Sequence, residues 1–101
     1  MTRPDLLAPA TVAAWLDANP QWSLRNGHLV REQRFASHRD AAQFVLDQVT
    51  LAERLDHHPV ITLTYRDVRW ELWTHDRGGV TTLDLAYAEA VDAAIVNATR
   101  S

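Results

Sequence analysis

Two short runs in residues 61–75, ITLTYRDVRWELWTH, alternate apolar and polar side chains and decide the fold. One side of the runs holds Ile61, Leu63, Tyr65, Val68, Trp70, Leu72 and Thr74, and the other holds Thr62, Thr64, Arg69, Glu71, Trp73 and His75. Such alternation is typical of half-buried strands. Arg66-Asp67 separates the runs, so the sequence predicts an antiparallel hairpin that turns there.

A second hairpin is predicted upstream. Residues 21–24 and 28–35 flank Arg25-Asn26-Gly27, and Asn-Gly between two short runs is a strong hairpin signal. The four strands then form two local hairpins, which predicts a largely antiparallel sheet.

Helix signals surround the hairpins. Three helices are predicted. The first covers residues 9–18, the second covers about 17 residues and ends at 55 or 56, and the third covers residues 82–98. Pro20 ends the first, because the residue before a proline is pushed out of the helical region. Ser37 with Asp40 starts the second helix, and Thr81 with Asp84 starts the third, in N-terminal capping patterns. As a capping residue, Asp84 would bond backbone N–H at Thr81.

Each long helix has one apolar face that predicts packing on the sheet. The inner face of the second helix is predicted at positions 41, 44, 45, 49, 51, 52 and 55, with Leu46 as the outlier. The inner face of the third is predicted at Leu83, Ala86, Tyr87, Ala90, Val91, Ala94 and Ala98. Leu85 and Val96 are predicted near the opposite side, and this second apolar patch indicates a subunit contact.

Length and composition agree with one domain over residues 1–101. The predicted class is α+β, a two-layer domain in the order α-β-β-α-β-β-α with helices on one face of a four-stranded antiparallel sheet. The chain has 47% hydrophobic residues, as a globular domain does. Its net charge of −3 argues against nucleic-acid binding, which normally uses a basic surface. It has no cysteine, which excludes disulfides and thiolate chemistry. No apolar run is long enough for a membrane span and no leader is evident, so a cytoplasmic protein is expected.

Three of the five histidines are predicted to meet at one end of the second hairpin. His57 and His58 follow the second helix, and a turn at Arg66-Asp67 would place His75 roughly opposite His58. Four carboxylates lie nearby: Glu53, Asp56, Asp76 and Asp84. Imidazoles give and take protons near neutral pH, so the group predicts an acid/base site.

Simpler interpretations stay open. Histidines at a helix C-terminus interact favourably with its dipole and its last carbonyls, and Asp56 could satisfy nearby backbone in the same turn. Three histidines and a carboxylate could also hold zinc. However, adjacent histidines diverge, and the three form no H-x-H or H-x-x-x-H pair. Trp73 shares a strand face with His75 and could form the wall of an aromatic ligand's pocket or an interface.

The stretch from Glu53 to Asp84 reads E-R-L-D-H-H-P…Y…T-H-D-x-G-G-V-T-x-x-D and closely resembles the pterin-4a-carbinolamine dehydratases. The matching residues are Glu53, His57-His58-Pro59, Tyr65, Thr74-His75 and Asp84. The likeness extends upstream to Trp22, Phe35 and Phe44 and so covers most of the chain, from about 22 to 92.

The resemblance implies the fold predicted above, in dimers that join their sheets and often in tetramers through helices. It implies dehydration of 4a-hydroxytetrahydropterin to quinonoid dihydropterin in tetrahydrobiopterin recycling, with no metal or bound cofactor. By carry-over, His58 and His75 transfer protons, His57 assists or binds, and Asp84 orients a histidine. The supporting or substrate-binding positions are Glu53, Asp56, Trp73 and Thr74.

Two departures from the family pattern concern the pocket. Many members have a tryptophan two positions after H-H-P, where this chain has Ile61, and a small or aliphatic residue where it has Trp73. The alternative function is a non-catalytic interaction or assembly module that acts through helix faces, and it would not need the histidines. The intact histidine set favours the enzyme.

Overall fold

Both predicted hairpins form, and they pair into one four-stranded antiparallel sheet in the computed structural model, which describes residues 4–99. The elements are α1 (Pro9–Ala18), β1 (Ser23–Arg25), β2 (His28–Arg34), α2 (His38–Leu55), β3 (Val60–Thr64), β4 (Asp67–Leu72), a 3-10 helix (His75–Arg77) and α3 (Thr82–Thr99). The strand order is β1-β2-β4-β3. The predicted α+β class and its element order are confirmed.

The core lies between one face of the sheet and the helices. Val68, Trp70 and Leu72 of β4 are fully buried, as their alternation predicts. The helix residues in the same core are Val12, Ala41, Phe44, Leu51, Ala52, Tyr87, Ala88, Val91 and Ile95. None of the described helices is both long and apolar enough to cross a bilayer.

The first hairpin turns at Asn26-Gly27. Arg25 pairs with His28, and both turn residues have positive φ, 53° at Asn26 and 77° at Gly27. Asparagine and glycine are the residues that tolerate this conformation, which is why the pair turns the chain in two residues. β1 begins two residues later than predicted, and β2 ends one residue earlier.

The second hairpin turns one residue earlier than predicted. Thr64 pairs with Asp67, so the turn residues are Tyr65 and Arg66. Tyr65 takes a left-handed φ of 54°, which composition does not favour for this residue. Two tertiary bonds hold the turn: the His38 ring contacts the Tyr65 carbonyl through Nδ1, and Phe35 N–H donates to the Arg66 carbonyl at 2.8 Å.

The change of turn also changes the register. Val60 pairs with Glu71, so continuing the pairing outward sets position 58 opposite position 73. The expectation that His75 lies opposite His58 is therefore wrong by two residues.

The α2 helix begins as its capping pattern predicts. The Ser37 hydroxyl accepts a hydrogen bond from Asp40 N–H at 3.0 Å. The predicted inner face is wrong at Val49, which is 53% exposed, whereas Gln48 is buried. Leu46 is exposed, in agreement with its place as the outlier.

The α3 helix is rotated from its predicted orientation. Positions 84, 88, 91 and 95 face inward at helical spacing, while Ala86 and Ala98 are exposed. Leu85 packs against the core, so its predicted place in an outward patch is wrong, although Val96 is exposed. The helix turns this way because it buries the Asp84 carboxylate at its first turn.

Candidate active site

The candidate site lies between the C-terminal end of α2 and the segment that follows β4. Asp56 ends α2 in a left-handed conformation with φ 49°, which turns the chain into His57 and His58. On the other strand Thr74 N–H donates to the Gly79 carbonyl at 2.8 Å and closes the loop that carries His75. The two segments therefore face each other at one end of the hairpin.

One cavity collects the three histidines. It has a volume of about 370 Å³ and is lined by Asp56, His57, His58, Thr74, His75 and Asp76. The prediction that the three imidazoles meet is confirmed, even though the register behind it is shifted. The reason is that His75 leaves the strand and begins the 3-10 helix, which carries it back towards the α2 terminus.

His57 is the buried member and is anchored on a buried carboxylate. Its Nε2 lies 2.6 Å from Oδ1 of Asp84, and the two side chains are 7% and 0% exposed. A carboxylate only accepts, so Nε2 carries the proton and donates it. Nδ1 is the ring nitrogen that does not contact Asp84.

The second oxygen of Asp84 caps the helix. Asp84 Oδ2 accepts from Thr81 N–H at 2.8 Å, as the capping pattern predicts, and from the Thr74 hydroxyl at 2.9 Å. One carboxylate thus caps α3 and holds His57 at the same time. The capping function and the orienting function coexist because they use different oxygens.

The two threonine hydroxyls complete this network. A hydroxyl has one proton, and Thr74 gives its own to Asp84, so the 2.8 Å contact between Thr74 Oγ1 and Thr81 Oγ1 uses the proton of Thr81. Thr81 Oγ1 in turn accepts from Leu83 N–H at 3.2 Å. Every donor in the network has an acceptor, which makes the position of the buried carboxylate rigid.

The other two histidines are exposed at the cavity. His58 Nε2 lies 3.4 Å from Oε1 of Glu53, with both side chains more than half exposed. His75 stacks on Trp73 with 4.3 Å between ring centroids and 28° between ring planes. The three imidazoles therefore have three different supports: a buried carboxylate, an exposed carboxylate and an indole ring.

The predicted binding residues divide into two groups. Asp56 and Thr74 line the cavity, although the Thr74 hydroxyl is engaged by Asp84. Glu53 and Trp73 do not line it: Glu53 contacts His58, which fits its predicted supporting place, and Trp73 stacks on His75. Both side chains contact a histidine, and Trp73 lies on the outer face of the sheet, as the alternation along β4 predicts.

Sequence reasoning missed two residues near the site, His28 and Glu71. His28 stacks on Trp73, and its Nδ1 lies 2.6 Å from Glu71 Oε2. The pairing of β2 with β4 brings these residues to the site, and the Asn-Gly signal of the first hairpin does not reveal that pairing. Within residues 4–99, no three His, Asp or Glu side chains are grouped as a metal site.

Comparison with known proteins gives the family. Residues 5–94 match the family model of pterin 4 alpha carbinolamine dehydratase. The chain belongs to this family. The match covers nearly all of the described residues, including both hairpins and every residue of the cavity.

Individual relatives agree with the family match. A protein of Chloroflexus aurantiacus, provisionally named pterin-4-alpha-carbinolamine dehydratase, is 44% identical over 86 residues, 85% of this chain and 92% of its own. A Streptomyces coelicolor protein with the same provisional name is 40% identical and covers 85% of this chain and 86% of its own.

Solved structures of similar proteins share the fold. A transcriptional coactivator/pterin dehydratase of Brucella melitensis superposes with a TM-score of 0.84 at 29% identity, covering 89% of this chain and 98% of its own. A pterin dehydratase-like RuBisCO assembly factor of the alpha-carboxysome has a TM-score of 0.62 at 22% identity, covering 79% and 89%. The latter likeness concerns the fold alone.

Proposed function

We propose that this protein dehydrates 4a-hydroxytetrahydropterin, the pterin-4a-carbinolamine, to quinonoid dihydropterin by histidine acid/base catalysis, as a step of tetrahydrobiopterin recycling. The observation that carries the proposal is the single cavity lined by three imidazoles, one of them anchored on the buried Asp84. The family match supports the substrate class.

The reaction requires two proton transfers and no redox change. The C4a–O bond breaks, the hydroxyl group takes up a proton and leaves as water, and N5 loses its proton as the C4a=N5 double bond forms. Groups that exchange protons near neutral pH suit both steps, and each positioned acid or base is typically worth about 10²–10⁴-fold in rate.

The three histidines take different proposed roles because their surroundings differ. His58 and His75 are exposed at the cavity and are proposed to transfer the two protons, one as acid and the other as base. His57 is buried with its Nε2 proton held by Asp84, so it is proposed to bind or assist through Nδ1. Asp56 supports the substrate from the α2 terminus, and Glu53 holds His58.

The partner proposed with this activity is a second copy of the chain, in a homodimer or homotetramer. The resemblance to the family motivates this proposal, and the outer strands β1 and β3 each leave one edge for pairing within the described residues. Light scattering coupled to size-exclusion chromatography measures the mass of the assembly directly. A monomer at micromolar concentration would contradict the proposal.

The activity is tested by following the absorbance of 4a-hydroxytetrahydropterin, generated in the cuvette by a pterin-dependent hydroxylase. The protein is expected to accelerate its disappearance. His58→Ala and His75→Ala should each lower kcat by about 10²-fold or more, the range for loss of one acid or base. Arg39→Ala is the control, because Arg39 is an exposed side chain at the opposite end of α2 from the cavity. Unchanged turnover in His75→Ala would contradict its assigned role.

An interaction module is the second candidate function. The observation that favours it is an apolar surface on α2, where Leu46 is 62% and Val49 is 53% exposed. A protein that captures a stoichiometric partner equally well after all three cavity histidines are changed to alanine, and that shows no dehydratase turnover, would establish this function instead. Leu46→Ser with Val49→Ser should then abolish the capture.

A further inference from the structure

A continuous stack of three rings runs along the outer face of the sheet towards the cavity. His28 lies 4.0 Å from Trp73 between ring centroids, with 8° between ring planes. Trp73 lies 4.3 Å from His75 on the other side. Trp73 is therefore held between two imidazoles, and only one of them lines the cavity.

The strand register explains why this stack forms. Leu29 pairs with Leu72 across β2 and β4, and the pairing continued by one residue sets His28 beside Trp73 on the same face. Opposite residues of an antiparallel pair bring their Cβ atoms within about 5.5 Å, which is close enough for rings to stack. The juxtaposition is a consequence of sheet pairing and not of the local sequence around either residue.

Glu71 fixes the far end of the stack. It lies two residues before Trp73 on the same face, and its Oε2 accepts from His28 Nδ1 at 2.6 Å. Arg69 Nη1 donates to the other oxygen of Glu71 at 3.1 Å. The hydrogen bond from His28 lowers the pKa of Glu71, with a smaller contribution from Arg69, so the carboxylate is charged when it holds the ring.

His75 needs such a support more than the other two histidines do. Its side chain is exposed, and it sits in a 3-10 helix of three residues. Across residues 4–99 its ring has no side-chain hydrogen bond, whereas His57 and His58 each contact a carboxylate. The contact that restricts the His75 ring is the indole of Trp73.

We propose that Trp73 is a positioning residue that holds His75 at the cavity, and that the Glu71–His28 pair braces Trp73 from behind. The consequence for turnover rests on the proposed dehydratase function, but the positioning itself does not. Aligned aromatic pairs hold each other with an energy that corresponds to about three- to tenfold in an equilibrium or a rate. Loss of the stack should therefore lower kcat by about that factor and leave KM within about twofold, because no residue of the stack except His75 lines the cavity.

The direct test is spectroscopic. In the intact protein the ring protons of His75, assigned with a His75→Gln variant, are expected upfield of their free-histidine positions because they lie over the indole. Trp73→Leu should move them to the free positions, and Trp73→Phe should restore most of the upfield shift. His28→Ala should move them part of the way, and His28→Phe, which keeps a ring on Trp73, should move them less.

The kinetic test uses the same variants. Trp73→Leu and His28→Ala should lower kcat with KM nearly constant, and Trp73→Phe should recover it. Trp15→Leu is the matched control for loss of an indole, since Trp15 lies in α1 away from the cavity, and it should leave kcat unchanged. Circular dichroism and thermal unfolding check the fold of each variant, and the two His28 variants test the stack without altering Trp73.

The outcomes separate the two proposals. His75 resonances that stay in place in Trp73→Leu overturn the positioning proposal whatever the activity. Moved resonances with unchanged kcat overturn the catalytic consequence. If the unmodified protein shows no dehydratase turnover, the proposed function fails, and the resonances alone decide whether Trp73 positions His75.

Discussion

Replacing Asp84 with asparagine tests the network on which the candidate site depends. The fully buried carboxylate accepts from three donors: His57 Nε2, Thr81 N–H and the Thr74 hydroxyl. Asparagine has nearly the same shape and opens no cavity, but it replaces one accepting oxygen with a donating NH₂ group. If its oxygen keeps capping Thr81, its NH₂ group faces His57 Nε2, and that ring must move its proton to Nδ1.

The expected loss follows from the bond that changes. A hydrogen bond to a charged group contributes about 1.5–3 kcal/mol, so we expect Asp84→Asn to lower the free energy of unfolding by about 2 kcal/mol. A domain of this size loses about 4–8 °C of Tm per kcal/mol, which gives a fall of about 8–16 °C. Such domains have about 5–15 kcal/mol in total, so the variant should still fold. With His57 in the opposite tautomer, turnover should fall by at least about tenfold.

Three measurements check this expectation: urea unfolding for stability, nitrogen chemical shifts for the His57 tautomer, and pterin dehydration for kcat. Asp47→Asn is the matched control, because Asp47 is exposed on α2 and should change stability by less than about 0.5 kcal/mol. An Asp84→Asn variant as stable as the parent, with the His57 proton still on Nε2, would refute the reasoning.

Three further predictions concern stability. Tyr87 is buried with no partner for its hydroxyl in the described part of the chain, and burial raises its pKa to about 12. The phenol therefore does not reduce the free energy of unfolding below its unfolded-state pKa near 10, and it lowers that free energy as the pH rises from 10 towards 12, because only the unfolded chain can then ionise it. Tyr87→Phe should abolish this alkaline loss of stability, measured by urea unfolding at pH 7 and 11.5. At pH 7 the variant should be as stable as the parent or up to about 1 kcal/mol more stable. The pKa of Glu71 is lowered, chiefly by the hydrogen bond from His28. Ionised Glu71 therefore stabilises the fold above its unfolded-state pKa near 4.5, and this stabilisation disappears as the pH falls through the folded-state pKa. Glu71→Gln should thus be less stable than the parent at pH 6, and the difference should narrow as the pH falls below 4.5; a difference that does not narrow would contradict this linkage. Gly27 has φ 77°, and a methyl group added there would meet open space. Gly27→Ala should therefore lower the free energy of unfolding by about 1 kcal/mol through backbone strain alone, which lowers Tm by about 4–8 °C. An unchanged Tm would mean that the turn relaxes.

Local signals in the sequence were sufficient for the element order. Alternation over 61–64 and 68–72 identified the β3–β4 hairpin and its buried face, and Asn26-Gly27 identified the other turn. The N-terminal capping patterns at Ser37 and Thr81 are both present, because a cap is a contact between residues three apart and needs no tertiary partner.

The errors lie where tertiary contacts override local preference. Alternation of the two runs placed the second turn at Arg66-Asp67, but His38 and Phe35 hold a turn at Tyr65-Arg66 from outside the hairpin. The orientation of α3 depends on Asp84 and its bond to His57, 27 residues earlier in the chain, so a helical wheel alone could not place Leu85.

The candidate site divides in the same way. The motif identified His57, His58, His75 and Asp84, and their convergence followed from the antiparallel hairpin. The supports of the rings did not follow, since Trp73 lies between His28 and His75 through the pairing of β2 with β4.

By itself the sequence determined the α+β class, both hairpins and the family's histidine motif, because each depends on side-chain periodicity or on residues close together in the chain. Only the tertiary structure decided the register at the hairpin end, the inward side of α3 and the stack of His28, Trp73 and His75. These features depend on pairing between strands distant in the chain, where a shift of one residue changes which side chains meet.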